Sequence, residues 1–263
     1  MTEAPGRAVV TELPGRVAVT EARAAVVTAP TDARWRPAVV RDLRHTEACS
    51  VILRLDVPER MDHVPGQHYV IRLTAPDGYT ASRSYSVVSA PDDPQVEFFV
   101  ERLPDGEVSG FLADEVRVGD RLEVRGPIGG WFVWDASTPA LGIGGGSGVA
   151  PFVSMLRHTL AIGEKGGPTG RLRLAVSARR LSLLPYAEEF EAAGATIALT
   201  ADADGVRRSV GRLGWADLAP LVDEAQTALV CGSAGFAEAM SRLLVDRGVP
   251  AGDVRVERFG PSA

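Results

Sequence analysis

The stretch that decides the fold is Gly142-Ile143-Gly144-Gly145-Gly146-Ser147-Gly148-Val149-Ala150-Pro151. It follows a short apolar strand candidate at residues 140–143. It opens a helix candidate at residues 151–162 that carries Phe152, Leu156 and Leu160 on one face. Glycines let the backbone turn tightly and approach a ligand that any Cβ would hold away. Pro151 suits a first helical turn, where its missing N–H costs nothing. The free N–H groups and the positive helix end then make a site for a pyrophosphate. The spacing is not the strict dinucleotide fingerprint, and a merely tight strand-to-helix turn stays open as the alternative. A hydrolase nucleophile elbow is excluded, because Val149 stands two residues after Ser147 where that motif needs glycine. No Walker lysine follows either.

Downstream, strand and helix candidates alternate: 171–177, 186–193, 196–200, 215–221, 228–230, 234–247 and 254–257. That alternation calls for right-handed βαβ units and a parallel sheet covered on both faces, placed here over residues 136–263. Upstream, short strand candidates lie at 38–43, 50–57, 69–73, 84–88, 96–100 and 121–125, with one helix candidate at 108–115. They indicate an antiparallel barrel or sandwich over residues 35–135. Residues 1–34 lack a sustained period and read as a variable or partly ordered leader. A polar segment near 135–139 reads as a hinge between the two domains.

The bulk numbers narrow the function. Of 263 residues, 45% are hydrophobic and 24% charged, as in globular proteins, and the net charge is -6. That charge opposes a duplex nucleic-acid surface. Two cysteines, Cys49 and Cys231, without a CxxC spacing argue against a disulfide scaffold, a thiolate zinc site or a protein-bound iron–sulfur cluster. His45, His63, His68 and His158 are scattered without ligand spacing, so no metal is expected. No apolar run is long enough to span a bilayer and no export signal is evident, so a cytoplasmic location without membrane association is expected.

Two further motifs carry chemistry. Arg83-Ser84-Tyr85-Ser86 lies on a strand candidate, where Arg can contact phosphate and Tyr can stack on a flat ring; a half-buried strand with an outward Arg reads equally well. Val230-Cys231-Gly232-Ser233-Ala234-Gly235-Phe236 again ends a strand and begins a helix. It puts Cys231 at the carboxyl edge of the sheet, where open α/β sheets bind ligands, although a small buried thiol fits the same pattern.

The order of these motifs resembles the ferredoxin–NADP reductase superfamily, specifically its bacterial single-chain FAD-dependent NAD(P)H oxidoreductases of the oxygenase or ferredoxin reductase type, without the iron–sulfur domain. The likeness runs over about residues 36–259. It implies a two-domain chain, an antiparallel β-barrel FAD-binding domain followed by an α/β parallel-sheet NAD(P)-binding domain. It implies that Arg83, Ser84, Tyr85 and Ser86 contact FAD, together with Val100, Glu101 and Arg102 after the next strand. Gly106, Val108 and Ser109 would hold the FAD pyrophosphate, and the turn from Gly126 to Trp131 would close the flavin domain.

The same resemblance makes Gly144, Gly145, Gly146, Ser147, Gly148, Val149 and Pro151 the nicotinamide nucleotide loop. Cys231, Gly232 and Phe236 would lie beside the nicotinamide, and Glu257 with Phe259 would approach the flavin. Four residues follow Phe259, unlike plant-type members, which end on an aromatic. Ser86, Cys231 and Glu257 are the expected positioning residues of the reaction. Ser177, Arg179, Arg180, Arg207 and Arg208 are candidates for the coenzyme's adenosine end, since a 2′-phosphate needs fixed positive charge; solvated loop charges are the alternative. NADPH or NADH would supply hydride, NADPH slightly preferred. Electrons would go to an external acceptor such as a ferredoxin or an oxygenase or P450 system. A reductase of free flavin for a partner monooxygenase and a flavin-binding electron-transfer or sensor module are the other readings. A monomer is slightly favoured.

Overall fold

The computed structural model describes residues 29–46, 50–167, 170–201, 210–222 and 227–259. The first half is a six-stranded antiparallel sheet made of β1 (Trp35–His45), β2 (Val51–Asp56), β3 (His68–Thr74), β4 (Thr80–Ser86), β5 (Val96–Val100) and β6 (Arg121–Ile128). Its order is β4-β3-β6-β1-β2-β5. The two outer strands come together through an antiparallel bridge between Val87 and Phe98, which closes the sheet as a barrel. Closure removes the unpaired edges that an open sheet would expose. Inside lie Val40, Leu53, Leu55, Tyr69, Ile71, Phe98 and Val124, all fully buried. Helix α1 (Glu107–Asp114) plugs one end through Val108, Leu112 and Ala113.

The second half is a five-stranded parallel sheet of order β11-β10-β7-β8-β9. Its elements are β7 (Ala140–Gly145), α2 (Ala150–Glu164), β8 (Leu172–Ala178), α3 (Ala187–Ala192), β9 (Thr196–Leu199), α4 (Trp215–Leu218), β10 (Thr227–Ser233), α5 (Ala234–Asp246) and β11 (Val254–Phe259). Both faces are covered. One packs on α2 and α3 through Phe152, Met155 and Phe190; the other packs on α4 and α5 through Leu218, Ala237 and Leu244. From β7 the chain winds to β8 on one side and later to β10 on the other. The carboxyl ends of β7 and β10 therefore form a topological switch point, where such sheets open a crevice.

Four local outcomes differ from the sequence reading. Strand β4 begins at Thr80, because the turn over residues 75–79 pairs Thr80–Ser84 with β3; apart from the half-buried Ala81 these residues are polar and exposed and show no apolar alternation. Strand β1 begins at Trp35, paired with Arg125. The helix expected at 215–221 is a single turn, Trp215–Leu218. Of the leader expected over residues 1–34, residues 1–28 lie outside the described residues. Residues 30–32 are tied to the barrel: Gln67 donates to the Pro30 carbonyl at 2.8 Å, and the Asp32 amide to Pro127 at 2.9 Å.

The two halves share a core. Ile52, Val88 and Phe99 of the barrel side cluster with Phe132, Trp134, Phe152 and Val153. Strand β5 is therefore buried on both faces. Val96, Phe98 and Val100 point into the barrel, while Glu97 and Phe99 point outward yet stay under 9% exposed.

Candidate functional site

A cleft of about 860 Å³ opens between the two sheets, at the switch point. Its barrel wall is built by the end of β4, by Phe99 and Glu101 around the end of β5, and by the start of α1. Arg83 is exposed and donates to the neighbouring Ser82 carbonyl at 2.7 Å. Tyr85 packs partly on the barrel core, and burial pushes its hydroxyl pKa up. Ser86 ends the strand with only 3% exposure, and its hydroxyl has no hydrogen-bond partner. A buried donor with nothing to bind is costly unless a ligand completes it.

Helix α1 starts at Gly106 without a side-chain cap, so its first N–H groups are free for an anion. A Cβ on Gly106 would stand 2.2 Å from the Ser109 hydroxyl oxygen. That hydroxyl accepts from the Leu103 amide at 3.2 Å and donates to the Gly106 carbonyl at 3.3 Å. Ser109 thus shapes the turn, and the helix amides remain for the ligand.

The opposite wall carries Gly145, Gly146, Ser147, Ser177, Arg179, Thr200, Ser233, Phe236 and Phe259. Gly146 opens a 3-10 turn over Gly146–Val149 with φ +58°, and a Cβ there would meet open space. Gly148 has a different task. A Cβ on it would fall 2.6 Å from the Cys231 carbonyl oxygen, so it lets the turn lie against β10. The Phe236 ring covers Gly145, where a Cβ would approach it to 2.8 Å. Ser233 caps α5 by accepting from the Phe236 amide at 3.4 Å.

The structure does not bring every expected residue to the cleft. The Cys231 side chain is fully buried in the core, and burial drives its thiol pKa well above the ordinary value. The thiol does not line the cleft, and the Cys231 carbonyl instead lies against Gly148 of the glycine turn. Gly232, beside it, is covered by Phe236. Glu257 pairs in register with Cys231; it has one carboxyl oxygen without a partner, and burial pushes its pKa up to about 7. It lies two residues before Phe259, on the same face of β11.

Val100 and Val149 are fully buried core residues, Gly144 packs against Val149 and Phe152, and Pro151 is buried inside α2. Arg102 turns away to Asp114 at 2.8 Å. Arg180 is exposed and off the cleft wall, whereas Arg179 is on it. Arg207 and Arg208 lie outside the described residues. The sequence reading missed Phe99, Leu103, Pro104, Asp105, Ala150, Ala178, Thr200 and Ser233 on the walls. Phe99 was readable as the outward aromatic of Val-Glu-Phe-Phe-Val, and Ala150 and Ser233 lie inside the two quoted strand-to-helix motifs; the others carry no signal of their own.

Both walls fit a two-cofactor arrangement. Free helix amides, an outward Arg, a packed Tyr and an unpartnered Ser hydroxyl suit a flavin dinucleotide on the barrel. The open left-handed glycine and uncapped turn suit a second dinucleotide opposite.

Residues 43–133 match the model of the oxidoreductase FAD-binding domain. The chain is 28% identical over 221 residues to the ferredoxin–NAD(P)(+) reductase component of the naphthalene 1,2-dioxygenase/salicylate 5-hydroxylase systems of a Ralstonia species, covering 80% of this chain and 64% of that protein. It is 33% identical over 125 residues to the 2-halobenzoate 1,2-dioxygenase electron transfer component of Burkholderia cepacia, covering 48% of this chain and 36% of that one. The chain thus spans between about a third and about two thirds of the length of the curated relatives it matches. Among solved structures, the FAD/NAD-binding domain of nitric oxide dioxygenase from Vibrio cholerae superposes with TM-score 0.72 at 25% identity, covering 86% of this chain and 99% of that one. A ferredoxin NADP+ reductase from Neisseria gonorrhoeae shares the fold, with TM-score 0.71 at 19% identity, over 85% of this chain and 98% of the other.

Proposed function

We propose, starting from a chain that has the ferredoxin–NADP reductase fold and carries an oxidoreductase FAD-binding domain, that it takes hydride from NADPH or NADH and passes electrons to a separate acceptor. The observation that carries this reading is the pairing of two anion cradles across one cleft. They are the uncapped start of α1 with Arg83, and the Gly146 turn, with the unpartnered Ser86 hydroxyl on the wall between the halves. FAD, when bound, supplies hydride acceptance and stepwise electron release.

The chain's own residues do the rest. Arg83 and the α1 amides hold the flavin pyrophosphate, Tyr85 carries the ring system, and Ser86 donates to its edge. The Gly146–Val149 turn holds the nicotinamide nucleotide pyrophosphate. Phe236 and Phe259 exclude water from the space between, which sharpens alignment of the reacting atoms. Glu257, with a pKa of about 7, can hold or release a proton near neutral pH. Arg179 on the cleft wall favours a coenzyme with a 2′-phosphate. The acceptor belongs to an oxygenase or ferredoxin system, as the names of its relatives suggest for them. No helix among the described residues is long and apolar enough to cross a membrane.

Purified protein should be yellow, with about one FAD per chain, and anaerobic NADPH or NADH should bleach it. A colourless protein that FAD cannot reconstitute would overturn the reading. A yellow protein that neither nucleotide bleaches would reduce it to a flavin-binding module.

A further inference from the structure

A half-buried ionic network centred on the buried Glu97 crosses the boundary between the halves, away from the cleft. Glu97 of β5 is 5% exposed, and its Oε1 accepts from Arg157 Nη1 at 2.9 Å and from the Tyr186 hydroxyl at 2.9 Å. The other edge of the Arg157 guanidinium donates to Glu189 through Nε at 2.9 Å and Nη2 at 2.7 Å. The guanidinium carbon stands 5.1 Å over the Tyr186 ring, and that ring meets Phe99 edge-on at 6.4 Å. Tyr186 is held with φ +58°, a left-handed conformation that a bulky residue adopts only when its surroundings impose it. One turn nearer the cleft, Ser154 of the same helix donates to the Ser89 carbonyl at 2.8 Å.

Apolar packing of Val88, Phe99, Phe152 and Val153 already holds the halves together, so cohesion does not require charge. Hydrogen bonds add direction, and buried polar groups are retained in some proteins because they specify one arrangement. The connection to the cleft is short. Arg157 sits two turns along α2 from Ala150, and Glu97 sits two residues from Phe99; Ala150 and Phe99 both line the cleft.

We infer that Arg157, Glu97 and Tyr186 form a clamp that sets the spacing and angle between the two walls of the cleft, and so act as positioning residues for hydride transfer. The role in transfer rests on the NAD(P)H-flavoprotein reading; the clamp itself does not. A misplacement of about 1 Å can cost about a hundredfold in rate.

The test compares wild type with Tyr186→Phe, Glu97→Gln and Arg157→Lys. Tyr186→Phe removes one hydroxyl and is the variant safest for folding. In FAD-loaded protein, single-turnover flavin reduction by excess NADPH should slow by roughly 10- to 100-fold, with FAD content and nucleotide Kd within twofold of wild type. In cofactor-free protein on a Cys49→Ser background, spin labels at Glu115 and Glu238 report the distance between the halves. The variants should broaden that distribution. Unchanged distances overturn the clamp, and unchanged reduction rates overturn its role in transfer, whatever the distances do. A rate loss matched by an equal loss of nucleotide affinity also overturns that role. If wild type itself is not reduced by either nucleotide, the functional reading fails, while the distance measurement still decides the clamp.

Discussion

On the proposed function, the two walls of the cleft meet a similar demand, a dinucleotide's phosphates, with different materials. On the barrel wall the charge comes from an exposed side chain, Arg83, and the glycine at the helix start, Gly106, is packed against its own turn. On the opposite wall the cradle is backbone. Gly146 is open and left-handed, while Gly148 is wedged against β10 and Gly145 lies beneath Phe236. A wall made of side chains can lose its ligand without losing its fold. A wall made of backbone cannot lose its packed glycines, Gly145 and Gly148, without losing both.

The largest expected effect breaks the backbone wall. Gly148→Ala places a Cβ 2.6 Å from the Cys231 carbonyl oxygen, with neighbours that are backbone and cannot step aside. It should destabilise the protein by about 3 kcal/mol and lower Tm by roughly 6–12 °C. Gly146→Ala meets no atom, but φ +58° costs a non-glycine residue about 1–2 kcal/mol. That variant should fold, keep its FAD and show a raised KM for the nucleotide. Equal melting temperatures for the two would erase the distinction between packing and cradle glycines.

Next comes the proton on β11, behind the same wall. Burial raises the Glu257 pKa from 4.5 to about 7, so the native state holds a proton that the unfolded chain has released. Stability should therefore fall as pH rises from about 4.5 to about 7, by up to about 3 kcal/mol, and be flat above. Glu257→Gln should remove that portion of the pH dependence, read as Tm against pH. An identical slope in the variant would place the titration elsewhere.

The barrel wall should respond in affinity instead. Arg83→Ala should weaken FAD by about 1.5–3 kcal/mol, roughly 10- to 100-fold in Kd, with the Tm of the cofactor-free protein unmoved. A drop in that Tm would mean Arg83 also supports the fold. The smallest effect is expected at Arg179, a solvent-accessible cation. Arg179→Ala should cost about 1 kcal/mol, roughly fivefold, in kcat/KM for NADPH and leave NADH alone. Equal losses with both coenzymes would remove the 2′-phosphate from the account.

Much of this architecture was legible along the chain. The change from period-two strands to alternating strands and helices after Trp134 announced the antiparallel and parallel halves, because exposed and buried faces repeat at each element's own pitch. The glycine run announced a strand-to-helix turn, and Arg83-Ser84-Tyr85-Ser86 announced its wall. Burial was less legible where two elements cover one strand. Cys231 lies on β10, buried on both faces, so alternation carries no information on which way its thiol points. Strand β5 is similar: Glu97 is a charged residue between buried neighbours, yet α2 and Tyr186 bury it too.

What the sequence determined by itself is the order and kind of elements, the presence of two glycine-bearing turns that open helices, and the residue types available to them. These follow from local sterics and hydrophobic period, which act within a few residues. Only the tertiary structure decided which glycine opens onto the cleft, that Arg102 is spent on Asp114, and that burial pushes the Glu257 pKa up to about 7. Each depends on desolvation and close approach by segments distant in the chain. The Cys231 carbonyl that dictates Gly148 is an example: only the completed sheet brings it there.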